Sequence, residues 1–141
     1  MAFPSKVVVD TNVLISAIIT NGVCRQLVRL LALNQKEIII SDFILNEVEK
    51  FLRSKKFAHH EWIPEILSRI SGLATIVFLP KKTFRKASRL RDPKDQPIIQ
   101  TAMTAGAKLI ITGDEDLLSI GKIGSIKIIS VKETITSLSS N

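Results

Sequence analysis

Short apolar runs alternate with longer stretches of helical spacing along this chain. The runs are Lys6-Val7-Val8-Val9, Glu37-Ile38-Ile39-Ile40, Thr75-Ile76-Val77-Phe78-Leu79, Lys108-Leu109-Ile110-Ile111-Thr112 and Lys127-Ile128-Ile129-Ser130-Val131. Each is rich in Val and Ile and continuous rather than alternating, as expected of strands buried on both faces of a parallel sheet. Between them, the spacing predicts helices over Asn12–Ile19, Val23–Asn34, Asp42–Lys55, Glu61–Ser71 and Asp95–Ala105, with a short one over Asp114–Ser119. Strand–helix alternation of this kind predicts an α/β fold with helices on both sides of a parallel sheet.

Several boundaries have a chemical cause. Ser41-Asp42 follows a strand and can cap the next helix. Pro97 falls in the first turn of its helix, where a missing N–H costs nothing. Gly72 and Gly106 suit C-terminal stops, and Pro80 ends the middle strand. The tail from Ser137 to Asn141 reads as frayed.

Composition narrows the class. At 141 residues and 45% apolar content the chain is expected to form one domain, over residues 1–141, with a real core. Twenty Lys and Arg against thirteen Asp and Glu leave a net charge of +7, which suits a polyanionic partner. The single cysteine, Cys24, allows neither an internal disulfide nor a multi-cysteine zinc site. No apolar stretch is long enough for a membrane span, and Asp10-Thr11-Asn12 interrupts the most apolar one, so a cytoplasmic protein is expected.

Against that basic background the placement of the acids is informative. Five of six aspartates, Asp10, Asp92, Asp95, Asp114 and Asp116, fall where predicted elements meet. Asp10 ends the first strand, Asp114 and Asp116 follow the fourth, and Asp92 and Asp95 open a helix. Open α/β sheets bind ligands beyond the carboxyl ends of their strands. Carboxylates gathered there repel one another unless neutralised, and a hard divalent cation is the simplest neutraliser. Glu47 flanks the apolar stripe Ile44, Val48, Phe51 and Leu52 of its helix, and Asp95 lies on the inner face of its own. Neither has a Lys or Arg at an equivalent inner position. Taken singly, each acid also reads as a helix cap, a turn or a flank residue; one shared site accounts for all of them.

These residues together resemble the PIN-domain family. The resemblance rests on Val7-Val8-Val9-Asp10-Thr11-Asn12-Val13-Leu14-Ile15-Ser16, on Ser41-Asp42 leading to Glu47, on Arg91-Asp92-Pro93-Lys94-Asp95 before Ile98-Ile99, and on Ile111-Thr112-Gly113-Asp114-Glu115-Asp116-Leu117-Leu118. It spans nearly the whole chain, and the branch it resembles is that of the toxins of toxin–antitoxin pairs, the VapC-like ribonucleases. The resemblance implies a three-layer α/β/α sandwich with a five-stranded parallel sheet. It implies Mg²⁺- or Mn²⁺-dependent hydrolysis of RNA phosphodiesters, with metal-binding acids at Asp10, Glu47, Asp95 and Asp114 and a further member at Asp116. Asn12 and Thr112 match the supporting polar positions. A small antitoxin protein and a homodimer are the implied partners. The sequence departs from the branch around Asp95, where Lys94, Gln96 and Pro97 stand in a stretch that is often more acidic.

A basic segment runs into this motif. Lys81, Lys82, Arg85, Lys86, Arg89 and Arg91 occur with no acid among them, and the i,i+4 pairs Lys82/Lys86 and Arg85/Arg89 would line one helical face. An RNA backbone held there would be delivered to the acidic edge. His59 and His60 read as surface residues. A nucleophile elbow, a P-loop and a dinucleotide glycine fingerprint are absent. A phosphoaspartyl enzyme would want a second Asp where Asn12 stands. The remaining alternative is the same fold with a weak or inactive site, acting as an RNA- or protein-binding module.

Overall fold

Residues Lys6–Val9, Glu37–Ser41, Ala74–Val77, Leu109–Ile111, Lys122–Ile123 and Ile126–Ile129 form strands β1 to β6 of a single sheet in the order β3-β2-β1-β4-β6-β5. The coordinates are a computed structural model that describes residues 3–54, 57, 59–81 and 95–139. Five strands are parallel, with Val8 opposite both Ile39 of β2 and Ile110 of β4, and Ile110 opposite Ile128 of β6. The sixth, β5, is a correction to the five-stranded expectation. It pairs antiparallel with β6 through Ile123 and Ile126, across a turn in which Gly124 takes a φ of 57°. Two residues cannot show a strand pattern, so nothing in the sequence distinguishes Lys122-Ile123 from the loop around it.

Helices follow the strands: α1 (Thr11–Ile19), α2 (Val23–Leu33), α3 (Asp42–Leu52), α4 (Ile63–Leu73), α5 (Gln96–Ala105), α6 (Glu115–Ile120) and α7 (Val131–Ser139), with a 3₁₀ turn at His60–Trp62 before α4. The central strands are solid core. Val7, Val8, Val9, Ile38, Ile39, Ile40, Leu109, Ile110 and Ile111 are all buried, as continuous Val/Ile runs between two helical layers should be. β3 at the sheet margin is only half-buried and ends at Val77, before Phe78.

The local boundary signals act largely as read. Ser41 Oγ accepts the Ile44 N–H at 3.3 Å as the cap of α3. Pro97 sits in the first turn of α5, and Gly106 closes that helix with φ of 68°, a left-handed conformation that glycine adopts without strain. Gly72 does not stop α4, which continues to Leu73; a side chain there would meet no neighbour within 4 Å.

The larger correction is at the C-terminus. In place of a fifth strand reaching Val131 and a frayed tail, residues Val131–Ser139 form α7, which packs on α2. Thr134 and Leu138 are buried. Among the described residues no single helix is long and apolar enough to cross a membrane, and α1 and α2, which reach that length only together, are bent by 102°.

Candidate active site

The carboxyl ends of β1 and β4 lie side by side, because the two strands pair directly and Val9 is opposite Ile111. One residue further on, the Asp10 N–H donates to the Ile111 carbonyl at 3.0 Å, and the Thr112 N–H to the Ile129 carbonyl at 3.1 Å. The sheet thus places Asp10 and Thr112 in adjacent positions at its upper rim, although 102 residues separate them in sequence.

Their side chains form a chain of hydrogen bonds. Asp10 caps α1, with Oδ1 accepting the Thr11 N–H at 2.7 Å. Its Oδ2 accepts the Thr112 hydroxyl at 2.6 Å. Thr112 Oγ1 in turn accepts the Asp114 N–H at 3.0 Å, and Asp114 Oδ1 accepts the Asp116 N–H at 2.9 Å, capping α6. Thr112 is fully buried, and Asp10 is 7% exposed. Burial pushes the Asp10 carboxyl above the ordinary aspartate value, the bonds from Thr112 and Thr11 oppose this, and the nearby Asp114 charge adds to it. The fold therefore pays an electrostatic penalty to hold this carboxylate where it is.

The other acids occupy distinct positions. Asp95 immediately precedes α5, as its N-terminal flanking residue, and is 4% exposed. The inward placement expected of it is observed. Glu47 lies on α3 with its side chain 40% exposed and an ion pair to Lys50 at 3.8 Å. Lys50, one turn along the same helix, is itself exposed, so it is a surface partner and not an inner Lys or Arg of the kind the sequence lacks. Asp116 and Asn12 are exposed in the first turns of α6 and α1. Lys82, Arg85, Lys86, Arg89 and Arg91 lie outside the described residues, as does Asp92. His59 and His60 are exposed, as expected.

A link with no local signal joins the helices that carry Glu47 and Asp95. The hydroxyls of Ser41 and Thr101 hydrogen-bond at 2.8 Å, and Thr101 also donates to the Pro97 carbonyl at 2.7 Å. Both residues are fully buried. Ser41 reads in sequence as a cap, but its partner is 60 residues away, so only the packing of α5 on β2 reveals the pair.

The family follows from a direct match: the PIN domain model matches residues 6–116. The chain belongs to the PIN-domain family. That span takes in Asp10, Glu47, Asp95, Asp114 and Asp116. Solved structures carry the same fold. VapBC2 from Rickettsia felis, solved bound to a DNA fragment from their promoter, is similar at a TM-score of 0.67 and 20% identity, covering 89% of this chain and 98% of that one. PAE2754 from Pyrobaculum aerophilum is similar at a TM-score of 0.62 and 13% identity, with 96% of each chain covered. No curated protein matches the sequence.

The acids of this PIN domain suit a hard cation in kind. The donors at the rim are carboxylate oxygens, and Mg²⁺ typically uses one or two of these and keeps several waters. Among the described residues no three His, Cys, Asp or Glu side chains are grouped to hold a metal ion. The coupled pair of Asp10 and Asp114 is what the geometry offers to such an ion, and the repulsion between them is what the ion would relieve.

Proposed function

We propose that this PIN domain is a Mg²⁺- or Mn²⁺-dependent endoribonuclease, acting as the toxin of a toxin–antitoxin pair. The observation that carries the reading is the buried Asp10 carboxylate, held by Thr112 beside Asp114 at the carboxyl rim of β1 and β4. A lone structural cap would sit in solvent and keep an ordinary carboxyl. This one is desolvated and kept beside a second acid, an arrangement more typical of a functional site than of a cap.

In this reading Asp10 and Asp114 hold the cation, with Glu47, Asp95 and Asp116 as the further acids of the site. When bound, the cation supplies an acidified water and offsets charge on the phosphoryl oxygens. The protein's own part is positioning. Thr112 fixes the Asp10 carboxylate through Oδ2, and the Thr11 N–H fixes it through Oδ1, so the oxygens face the rim in one orientation. The Ser41–Thr101 bond ties the N-cap of α3, the helix of Glu47, to the middle of α5, the helix that Asp95 opens. Lys82, Arg85, Lys86, Arg89 and Arg91 bind the RNA backbone as it approaches. A small antitoxin that covers the rim and a homodimer are the partners proposed with this function.

The test is cleavage of mixed RNA substrates with Mg²⁺, with Mn²⁺ and with EDTA, for wild type and Asp10→Asn. Asn keeps the side-chain shape and removes the charge. Cleavage should require the cation and fall by orders of magnitude in the variant. An Asp10→Asn protein that cleaves as wild type does would overturn the metallonuclease reading, and a wild type that binds RNA without cutting it would favour the binding-module alternative.

A further inference from the structure

At the amino ends of β1, β4 and β6, the opposite end of the sheet from the acidic rim, the surface opens into a cleft of about 220 Å³. Its walls are apolar. Ala102 and Met103 come from α5, Ala107 from the turn that follows it, and Ile123 and Ile126 from the β5–β6 pair, in which they stand opposite each other. Met103 and Ile123 are only half-buried, so apolar side chains are left open to solvent in the cleft. Lys108 and Ser125, both exposed, line it as well, the Lys108 ammonium donating to Ser125 Oγ at 3.0 Å.

The charge at this end of the sheet has one sign, and no acid offsets it. Val7 is opposite Leu109 in the β1–β4 register, which puts Lys6 beside Lys108. Lys6 donates to the Ala105 carbonyl at 3.2 Å, so both ammonium groups rest on neutral oxygens. Lys122 and Lys127 are directly opposite each other. They alternate with Ile123 and Ile126 and so point to the other face of the same edge. All four lysines are exposed, and among the described residues none of them forms an ion pair. Residues Gln96 to Gly113 and Leu117 to Lys132, which build this end, include no acid. Glu37, on β2 at the far side of Lys6, accepts the Thr75 hydroxyl at 2.9 Å instead. Lysines guard sheet edges against pairing, which accounts for Lys122 and Lys127. It does not account for Lys6 and Lys108, whose strands lie inside the sheet.

The cleft and the charge together select a partner. At about 220 Å³ the cleft is smaller than the roughly 300–1,000 Å³ of small-molecule sites, and it suits a single apolar side chain. An RNA backbone would use the lysines and leave the apolar walls wet. A protein segment with one apolar anchor and carboxylates beside it uses both. We infer that this cleft docks an acidic peptide segment of a partner protein, its apolar side chain lodged against Met103, Ile123 and Ile126 and its carboxylates on Lys6 and Lys108. The surface is separate from the acidic rim, and the inference does not depend on the nuclease reading.

The probe is a short synthetic peptide with one leucine between two runs of glutamate, titrated into the whole protein while backbone amide NMR signals are followed. The amides of Ala107, Lys108, Ile123 and Ile126 should shift, and those of Asp10 and Thr112 should stay. Replacing the leucine of the probe by serine should weaken binding about ten-fold or more, as loss of one buried leucine does; the change is in the probe, so folding of the protein cannot confound it. Lys6→Gln combined with Lys108→Gln should weaken binding of the leucine probe by a similar factor, more at low salt than at high, with the amide spectrum otherwise that of the folded wild type. Still amides at the cleft, equal binding of the serine probe, or an unchanged affinity in the double variant would overturn the inference. So would oligo(A) RNA or phosphatidylserine vesicles shifting the cleft amides at lower concentration than the leucine probe.

Discussion

Replacing Thr112 by Val isolates the physical role of the residue that joins the two halves of the site. The change keeps the shape of a fully buried side chain, so no cavity forms, and removes one hydroxyl. That hydroxyl donates to Asp10 Oδ2 at 2.6 Å and accepts the Asp114 N–H at 3.0 Å. A hydrogen bond to a charged group contributes about 1.5–3 kcal/mol net and a neutral one about 0.5–1.5 kcal/mol. The Asp114 amide is only part-buried and can turn to water, whereas the buried Asp10 oxygen cannot. The expected destabilisation at pH 7 is therefore about 2–3 kcal/mol, most of it from Asp10.

The pH dependence of that loss has a definite sign. The Asp10 carboxyl lies above its ordinary value, through burial first, even with Thr112 pulling it down. Its contribution to stability is fully present below the unfolded value and is lost as pH rises through the folded one. Without Thr112 the folded value moves further up, so the variant loses more on the way to neutrality. The gap between wild type and Thr112→Val should widen as pH rises above the ordinary carboxylate range and narrow on acidification. Urea unfolding in EDTA between pH 4 and 8 measures it, with Thr112→Ser, which restores the hydroxyl, recovering most of the loss. A loss under about 0.5 kcal/mol at pH 7, within what surface substitutions give, would refute the reasoning, as would a loss independent of pH.

Further outcomes follow from the same structure. Asp10→Asn in EDTA should melt at the temperature of wild type or above, because a neutral group escapes the desolvation and the repulsion from Asp114; Mg²⁺ should then raise the melting temperature of wild type more than that of the variant. Leu138→Ala should cost about 2–4 kcal/mol in urea unfolding, as for a buried leucine, since Leu138 is 4% exposed; a neutral result would restore the frayed tail. Arg85→Ala combined with Arg89→Ala should weaken RNA binding across sequences and flatten its salt dependence by about 0.7 in slope per lost phosphate contact; filter binding between 50 and 300 mM salt reads this, and an unchanged slope would remove both residues from the RNA path.

What local sequence determines about this protein is the set of elements and their chemistry. Unbroken Val/Ile runs marked β1, β2 and β4 because strands covered on both faces need no polar alternation. Ser41, Pro97 and Gly106 marked helix ends because caps, rings and left-handed backbone act within a few residues. Asp10, Asp95 and Asp114 stood out because carboxylates at element boundaries are few in so basic a chain. What tertiary structure decided is everything that depends on neighbours distant in sequence. Val131, Ile135 and Leu138 do stand at helical i, i+4, i+7 spacing, but three apolar positions in a polar tail do not say what they face, and it is the packing of α7 on α2 that gives that face a partner. Lys122-Ile123 becomes a strand only by pairing with β6. How far Glu47 is exposed, and that it pairs with Lys50 on the surface of α3, is likewise set by the packing around that helix. The bond from Thr112 to Asp10 exists because β4 happens to be the neighbour of β1: hydrophobic periodicity dictates that a segment is a buried strand, but which strand lies beside which is settled by the packing of the whole sheet.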